Sequence, residues 1–237
     1  MNLTIDIGNT YVKVAVFNLG EITKYQSFRN PNLEDFIFFT KGMLITNSII
    51  CIVNELVNDL AAVISFFKPI VLTHKTKIPI KNSYKTIKTL GMDRLAGIIG
   101  AQSLFPNKDL LVIDTGTCIT YDYYIKGEYI GGRISPGLKM RYDALHSFTN
   151  KLPHVSLNSE YCNFGNDTVS SIISGVQIGA IDEMDAAIDL FKKENNKPIV
   201  ILCGGDHNFF DKNLKNSIFA DPFIINRGLN KIIEFNE

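Results

Sequence analysis

NLTIDIGNTYVKVAVF (residues 2–17) decides the fold, because DLLVIDTGTCITYDYY (residues 109–124) repeats its pattern half a chain later. In the first stretch Leu3, Ile5 and Ile7 alternate with Asn2, Thr4 and Asp6; Gly-Asn-Thr then interrupts, and YVKVAVF resumes a β-rich run. Alternation of period two marks a half-buried strand, and a glycine among small polar residues marks a turn. The second stretch ends an apolar run on Asp114, continues with Thr-Gly-Thr and passes into another alternating strand. Asp6 and Asp114 stand 108 residues apart in a chain of 237. A strand, an Asp-x-Gly turn, a strand, a turn and a strand in both halves is what an internal duplication leaves. Two related α/β domains are expected, residues 1–107 and 108–237, with FPNKD (105–109) as the crossing point.

Outward from these stretches, Gly20 marks a turn before EITKYQSF, so the first thirty residues read as three antiparallel strands. Asn30-Pro31 supplies a helix start through DFIFF, SIICIV a buried strand, NELVNDLAAVISFF a helix and PIVLT another strand. Residues 167–194 read as one long helix or two abutting ones, PIVILCGGD as a strand ending in a glycine turn, and NRGLNKIIEF as a final helix. HVSLNSEYCNFGN (154–166) reads as a surface loop.

Composition narrows the function classes. Lys plus Arg and Asp plus Glu both total 24, and no basic block stands out, so electrostatics favour neither nucleic acid nor an anionic membrane as partner. The four cysteines are scattered without a CxxC pair and the four histidines without HxxxH spacing, which gives no support to a disulfide framework or a zinc site. LAAVISFFKPIVL is too short for a membrane span and holds Lys68 and Pro69. Asp6 interrupts the opening apolar run, and no basic segment leads into it, so a cytoplasmic protein is expected.

Two such turns invite a phosphate. A glycine lets a polyphosphate approach the backbone, and neighbouring NH groups with Thr or Asn side chains donate to its oxygens. An adjacent carboxylate repels phosphate and holds a cation or its water shell instead. Lys13, on the strand after the first turn, adds positive charge. Each turn alone is ordinary; paired at duplicate positions they favour a nucleotide clamp.

DIGNT with Lys13, DTGTCIT and the late GGD (204–206) resemble the two phosphate segments and the adenosine segment of the sugar kinase, heat-shock ATPase and actin superfamily. LGMDRLAG (90–97), GGRISPG (131–137), NDTVSSIISG (166–175) and ALHSFTNKLPHV (144–155) look like signatures of the type III pantothenate kinases. The resemblance implies two ribonuclease H-like domains of the actin-like ATPase type with the active site in the cleft between them. It implies a homodimer that phosphorylates pantothenate with ATP, magnesium and a monovalent cation, potassium or ammonium. By that resemblance Asp6, Ile7, Gly8, Asn9, Thr10 and Lys13 form the first phosphate loop, with Asp6 positioning magnesium through water. Gly116 and Thr117 contact ATP, and Asp114 binds the monovalent cation. Asp93 is the catalytic base; Gly91, Met92, Asp93 and Arg94 contact pantothenate, Tyr84 lines its site, and Thr168 reaches it at the dimer interface.

The residues suit these roles chemically. A carboxylate within reach of a primary hydroxyl accepts its proton as the new bond forms, and a guanidinium binds a substrate carboxylate through two bonds. Gly204-Gly205-Asp206 either touches the adenosine or simply ends its strand, and Asp93-Arg94 read alone is also compatible with a surface ion pair. Two rival readings are another small-molecule kinase of the superfamily and a non-catalytic regulatory accessory factor. Retention of Asp6, Lys13, Asp93, Arg94 and Asp114 argues against the second.

Overall fold

The structure, a computed structural model, describes residues 1–158 and 160–237. The chain runs β1 (Asn2–Ile7), β2 (Val12–Asn18), β3 (Glu21–Phe28), α1 (Leu33–Phe39), β4 (Asn47–Ile52), α2 (Leu60–Phe67), β5 (Ile70–Val71), β6 (Lys81–Asn82) and α3 (Met92–Leu104). It continues through β7 (Leu110–Thr115), β8 (Cys118–Ile125), β9 (Glu128–Pro136), α4 (Leu138–Ser147), α5 (Thr168–Glu194), β10 (Ile199–Cys203), α6 (His207–Asn213), β11 (Phe219–Ala220) and α7 (Ile224–Asn236). Two compact units result. One comprises Met1–Lys108, Tyr123–Gly131 and Phe223–Glu237, the other Asp109–Asp122 and Gly132–Pro222. The chain re-enters the first unit twice after residue 108.

The first unit holds a five-stranded sheet of order β3-β2-β1-β4-β5. β1, β2 and β3 pair antiparallel as expected, and β4 adds parallel to β1. Alternation sorts the two faces. Leu3, Ile5, Ile7, Val12, Val14 and Val16 point to one side, where they pack with Phe36 and Phe39 of α1 and Val63 of α2. Each such buried side chain contributes about 1.5–3 kcal/mol relative to exposure. Phe38, between the two buried phenylalanines, is 75% exposed, as a helix phase of about 100° per residue requires. Thr4 and Asp6 lie on the opposite face, which α7 covers: Asn226 Nδ2 donates to Thr4 Oγ1 (3.0 Å) and to the Lys13 carbonyl (3.4 Å).

Two local expectations are corrected. The helix expected from Asn30-Pro31 starts at Leu33, capped by Asn32: its Oδ1 accepts from Asp35 N and Asp35 Oδ2 accepts from Asn32 N. Asn30 is left-handed (φ 46°) and sits outside the helix. The helix expected over 54–67 is only Leu60–Phe67, because Asp59, also left-handed, caps it by accepting from Ala62 N.

The second sheet has the order β11-β10-β7-β8-β9-β6. β10 pairs parallel with β7, and the strand at PIVILCGGD ends as expected in Gly204 with φ 94°. Residues 168–194 form one helix, not two; Asp167 and Ser170 close its N-terminus with a capping box. Within 154–166 the described residues form neither helix nor strand, Val155 is buried, and Ser159 lies outside the described residues. Among the described residues no helix is long and apolar enough to cross a membrane, and all four cysteines are free.

Candidate active site

In the first unit the turn after β1 is closed by Gly8 N donating to the Tyr11 carbonyl (3.1 Å). A Cβ on Gly8 would approach that oxygen to 3.3 Å, so the position favours glycine. Ile7 is buried and anchors the turn, while Asn9 and Thr10 at its tip are exposed. Behind the tip, Asp6 pairs in register with Lys13 on β2 and with Cys51 on β4, which puts all three on one face of the sheet. Asp6 is 3% exposed. One buried carboxylate beside a half-buried lysine fits a magnesium ion that keeps most of its water.

The same neighbourhood receives Asp93. Burial pushes the Cys51 thiol well above its usual value, and the charges of Asp6 and Asp93 push it further. Asp93 lies in the first turn of α3, after Gly91 as N-cap and Met92 as first helical residue. Burial raises its carboxyl above the usual value, against the Arg94 amide, the Arg94 and Lys13 charges and its own backbone NH. The Arg94 amide donates to Asp93 Oδ1 at 2.9 Å. A Cβ on Gly91 would stand 2.5 Å from the same oxygen, so glycine leaves the carboxylate its place. Arg94 is 9% exposed, with its guanidinium carbon 6.0 Å from the Tyr84 ring centre. The expected Asp93-Arg94-Tyr84 group is therefore one cluster, and the alternative of an exposed surface pair is excluded for Arg94.

Sequence reasoning misses what holds Tyr84. Its ring stacks on Tyr129 (6.1 Å, 16° between planes), and Gly131, at φ 115°, leaves room for it: a Cβ there would be 3.1 Å from the ring. The signal lies in the glycine pair at 131–132, which by itself indicates no more than a turn.

In the second unit Asp114 is the penultimate residue of β7, and Gly116 N donates to the Cys118 carbonyl (3.0 Å), so the second turn is closed much as the first is. Thr117 is exposed at its tip. The turn after β10 packs directly on it. Asp206 N donates to the Thr115 carbonyl (2.9 Å), Thr115 Oγ1 to the Cys203 carbonyl (2.7 Å), and a Cβ on Gly204 would stand 2.3 Å from Asp114 Oδ1. The carboxylate of Asp114 and the carbonyl oxygen of Thr115 are both close to Gly204, and hard oxygen donors of this kind are compatible with a monovalent cation. Burial also raises the Asp206 carboxyl, which the charge of His207 opposes. Asp206 borders a cavity of about 250 Å³ walled by Leu138, Tyr142, Val155 and Leu157. Thr168 is the exposed first residue of α5, also in this unit. Asp6–Lys13, Tyr84 and Gly91–Arg94 thus belong to one unit and Asp114–Thr117 and Thr168 to the other.

Comparison with known proteins shows which family the chain is similar to. A family model described as type III pantothenate kinase matches residues 2–189. The chain is 42% identical to the type III pantothenate kinase of Phocaeicola vulgatus, covering 100% of this chain and 99% of that protein. It is 37% identical to that of Flavobacterium johnsoniae, over 99% and 98%. Among solved structures, a Campylobacter jejuni protein named as a Baf family transcriptional activator superposes with a TM-score of 0.62 at 25% identity, covering 99% and 98%. Component A of the (R)-2-hydroxyglutaryl-CoA dehydratase of Acidaminococcus fermentans superposes at 0.57 and 14% identity over 99% and 96%, a likeness of fold alone.

Proposed function

The chain belongs to the type III pantothenate kinase family, and from that premise we infer that it transfers the γ-phosphoryl group of ATP to the primary hydroxyl of pantothenate, the entry step of coenzyme A synthesis. The observation that carries this reading is the cluster in the first unit: Asp93 with its carboxyl raised by burial, within the electrostatic reach of Lys13 and beside the buried Arg94.

Magnesium bound with ATP offsets charge on the transferring group, whose transition state is loose. Asp6 would hold the ion through water, and Lys13 with Asn9 and Thr10 would face the phosphates. Asp93 accepts the hydroxyl proton as the new bond forms, and a raised pKa makes it a better acceptor near neutrality. Arg94 binds the pantothenate carboxylate through its guanidinium fork, with Tyr84, Gly91 and Met92 shaping the site. In the second unit Gly116, whose amide is engaged by the Cys118 carbonyl, would let a phosphate approach the backbone, Thr117 would donate to it, and Asp114 would hold potassium or ammonium. The apolar cavity beside Asp206 suits a planar base. Thr168, exposed at the start of α5, is free to meet pantothenate in a homodimer. The protein acts in the cytoplasm.

A regulatory reading is favoured by one observation, the likeness to the Campylobacter jejuni protein named as a transcriptional activator. Retention of Asp6, Lys13, Asp93, Arg94 and Asp114 weighs against it. ADP release with purified protein, magnesium, potassium and pantothenate separates the two. We expect turnover that requires pantothenate and drops when sodium replaces potassium; no pantothenate-dependent release rejects the kinase reading.

A further inference from the structure

We propose that Glu183, acting through Arg141, is a positioning residue for the second phosphate loop, Gly116–Cys118; this rests on the kinase reading, since it assigns that loop to ATP. Glu183 lies midway along α5 and gathers donors from three other elements. Tyr121 OH of β8 donates to its Oε1 (3.0 Å), while Ser135 Oγ of β9 (3.0 Å) and Arg141 Nη2 of α4 (2.5 Å) donate to its Oε2. Arg141 then grips the turn leading into α4. Its Nη2 donates to Ser135 Oγ (2.9 Å), its Nε to the Pro136 carbonyl (2.9 Å) and its amide to the Gly137 carbonyl (3.0 Å).

That turn presses on the loop itself. Gly137 N donates to the Thr117 carbonyl (3.1 Å), and a Cβ on Gly137 would fall 2.2 Å from the Gly116 carbonyl oxygen and 2.6 Å from that of Thr117. The loop backbone is therefore seated against residue 137, whose position the Arg141 fork sets. Tyr121 ties the same carboxylate to the strand that leaves the loop. Burial works against the charge of Glu183, yet the bonds from Arg141, Ser135 and Tyr121 and the charge of Arg141 hold its carboxyl below the usual value. The pair is only about a third exposed or less, so the fork stays ordered.

Glu183→Ala and Arg141→Ala are each expected to weaken MgATP binding about tenfold, read by calorimetry without pantothenate. The KM for pantothenate stays within about twofold of the parent, a split that general loss of structure does not produce. The double variant is little worse than either single one, because both act through one network. An unchanged MgATP Kd in folded Glu183→Ala overturns the proposal, as does an equal rise in the pantothenate KM. Should the alanine variants not fold, Glu183→Gln and Tyr121→Phe decide: a weaker MgATP Kd in either supports the proposal, and unchanged values in both overturn it. Pantothenate-dependent ADP release by the parent protein tests the kinase reading separately, since MgATP binding without turnover rejects that reading and leaves the loop assignment standing.

Discussion

Asp93 joins chemistry and stability in one side chain. Its carboxyl holds a proton more tightly in the fold than in the unfolded chain, because burial outweighs the favourable effects of Arg94 and Lys13. The folded state then binds more protons than the unfolded one between the usual value of 3.8 and the raised value, and stability falls as pH rises through that window. The ionised form needed for proton abstraction is thus the less stable one. We expect the acid limb of kcat/KM to fall above 3.8, as pH drops through the raised value. Asp93→Asn should lower kcat about 10²- to 10⁴-fold while MgATP still binds. The same variant should melt no lower than the parent at neutral pH, and any advantage should vanish in acid. A wild-type rate in this variant would remove Asp93 from its role. Gly91 belongs to the same account, since a methyl group there competes with the carboxylate for its place.

At the scale of elements, α3 is what brings Asp93 and Arg94 to the sheet, and α7 is what holds α3. A Cβ on Gly228 would stand 1.8 Å from the Ala96 carbonyl oxygen, and one on Gly100 would stand 2.0 Å from that of Ile224. Neither contact is with a flexible side chain, so the two helix backbones touch at these glycines. Overpacking of this kind costs about 1–3 kcal/mol or more. Gly228→Ala should therefore destabilise by at least about 2 kcal/mol, read as a lower urea midpoint at unchanged slope. It should also depress kcat by shifting α3; an unchanged midpoint would show that the helices separate freely. This contact is not legible in the chain order. LGMDR stands out as a motif, but Gly97 and Gly100 weaken the helical pattern of α3, and the last helix gives no sign of which surface it covers.

At the scale of the whole molecule, the repeat of Asp6 at Asp114 accounts for two turns of the same kind, each closed by a glycine amide bonded to a carbonyl within three residues along the chain. The second turn differs in what surrounds it: the Gly204 turn and Gly137 approach it so closely that no side chain fits. A homodimer is expected from the family. Light scattering should give the mass of two chains, and Thr168→Ala should raise the KM for pantothenate about tenfold with that mass unchanged, the loss of one substrate hydrogen bond. A monomeric, fully active protein would detach Thr168 from a shared site.

Alternation and turn chemistry are local, so residues 2–17 and 109–124 by themselves determined the strands, the two glycine turns and which face of β1 would carry Asp6. Asp93 and Arg94 stand out only through the resemblance carried by LGMDR together with motifs elsewhere in the chain; read alone the pair is also compatible with a surface ion pair. Helix starts were less legible, because a cap depends on which of several Asn or Asp residues reaches an amide three positions on; Asn32 does and Asn30 does not. Only the tertiary structure decided how the groups are supported. Tyr129 and Gly131 behind Tyr84, Asn226 behind Thr4, and Glu183 with Arg141 behind the second loop are all distant in sequence from what they hold. Such contacts follow from the packing of whole elements, and no short window of the chain contains them.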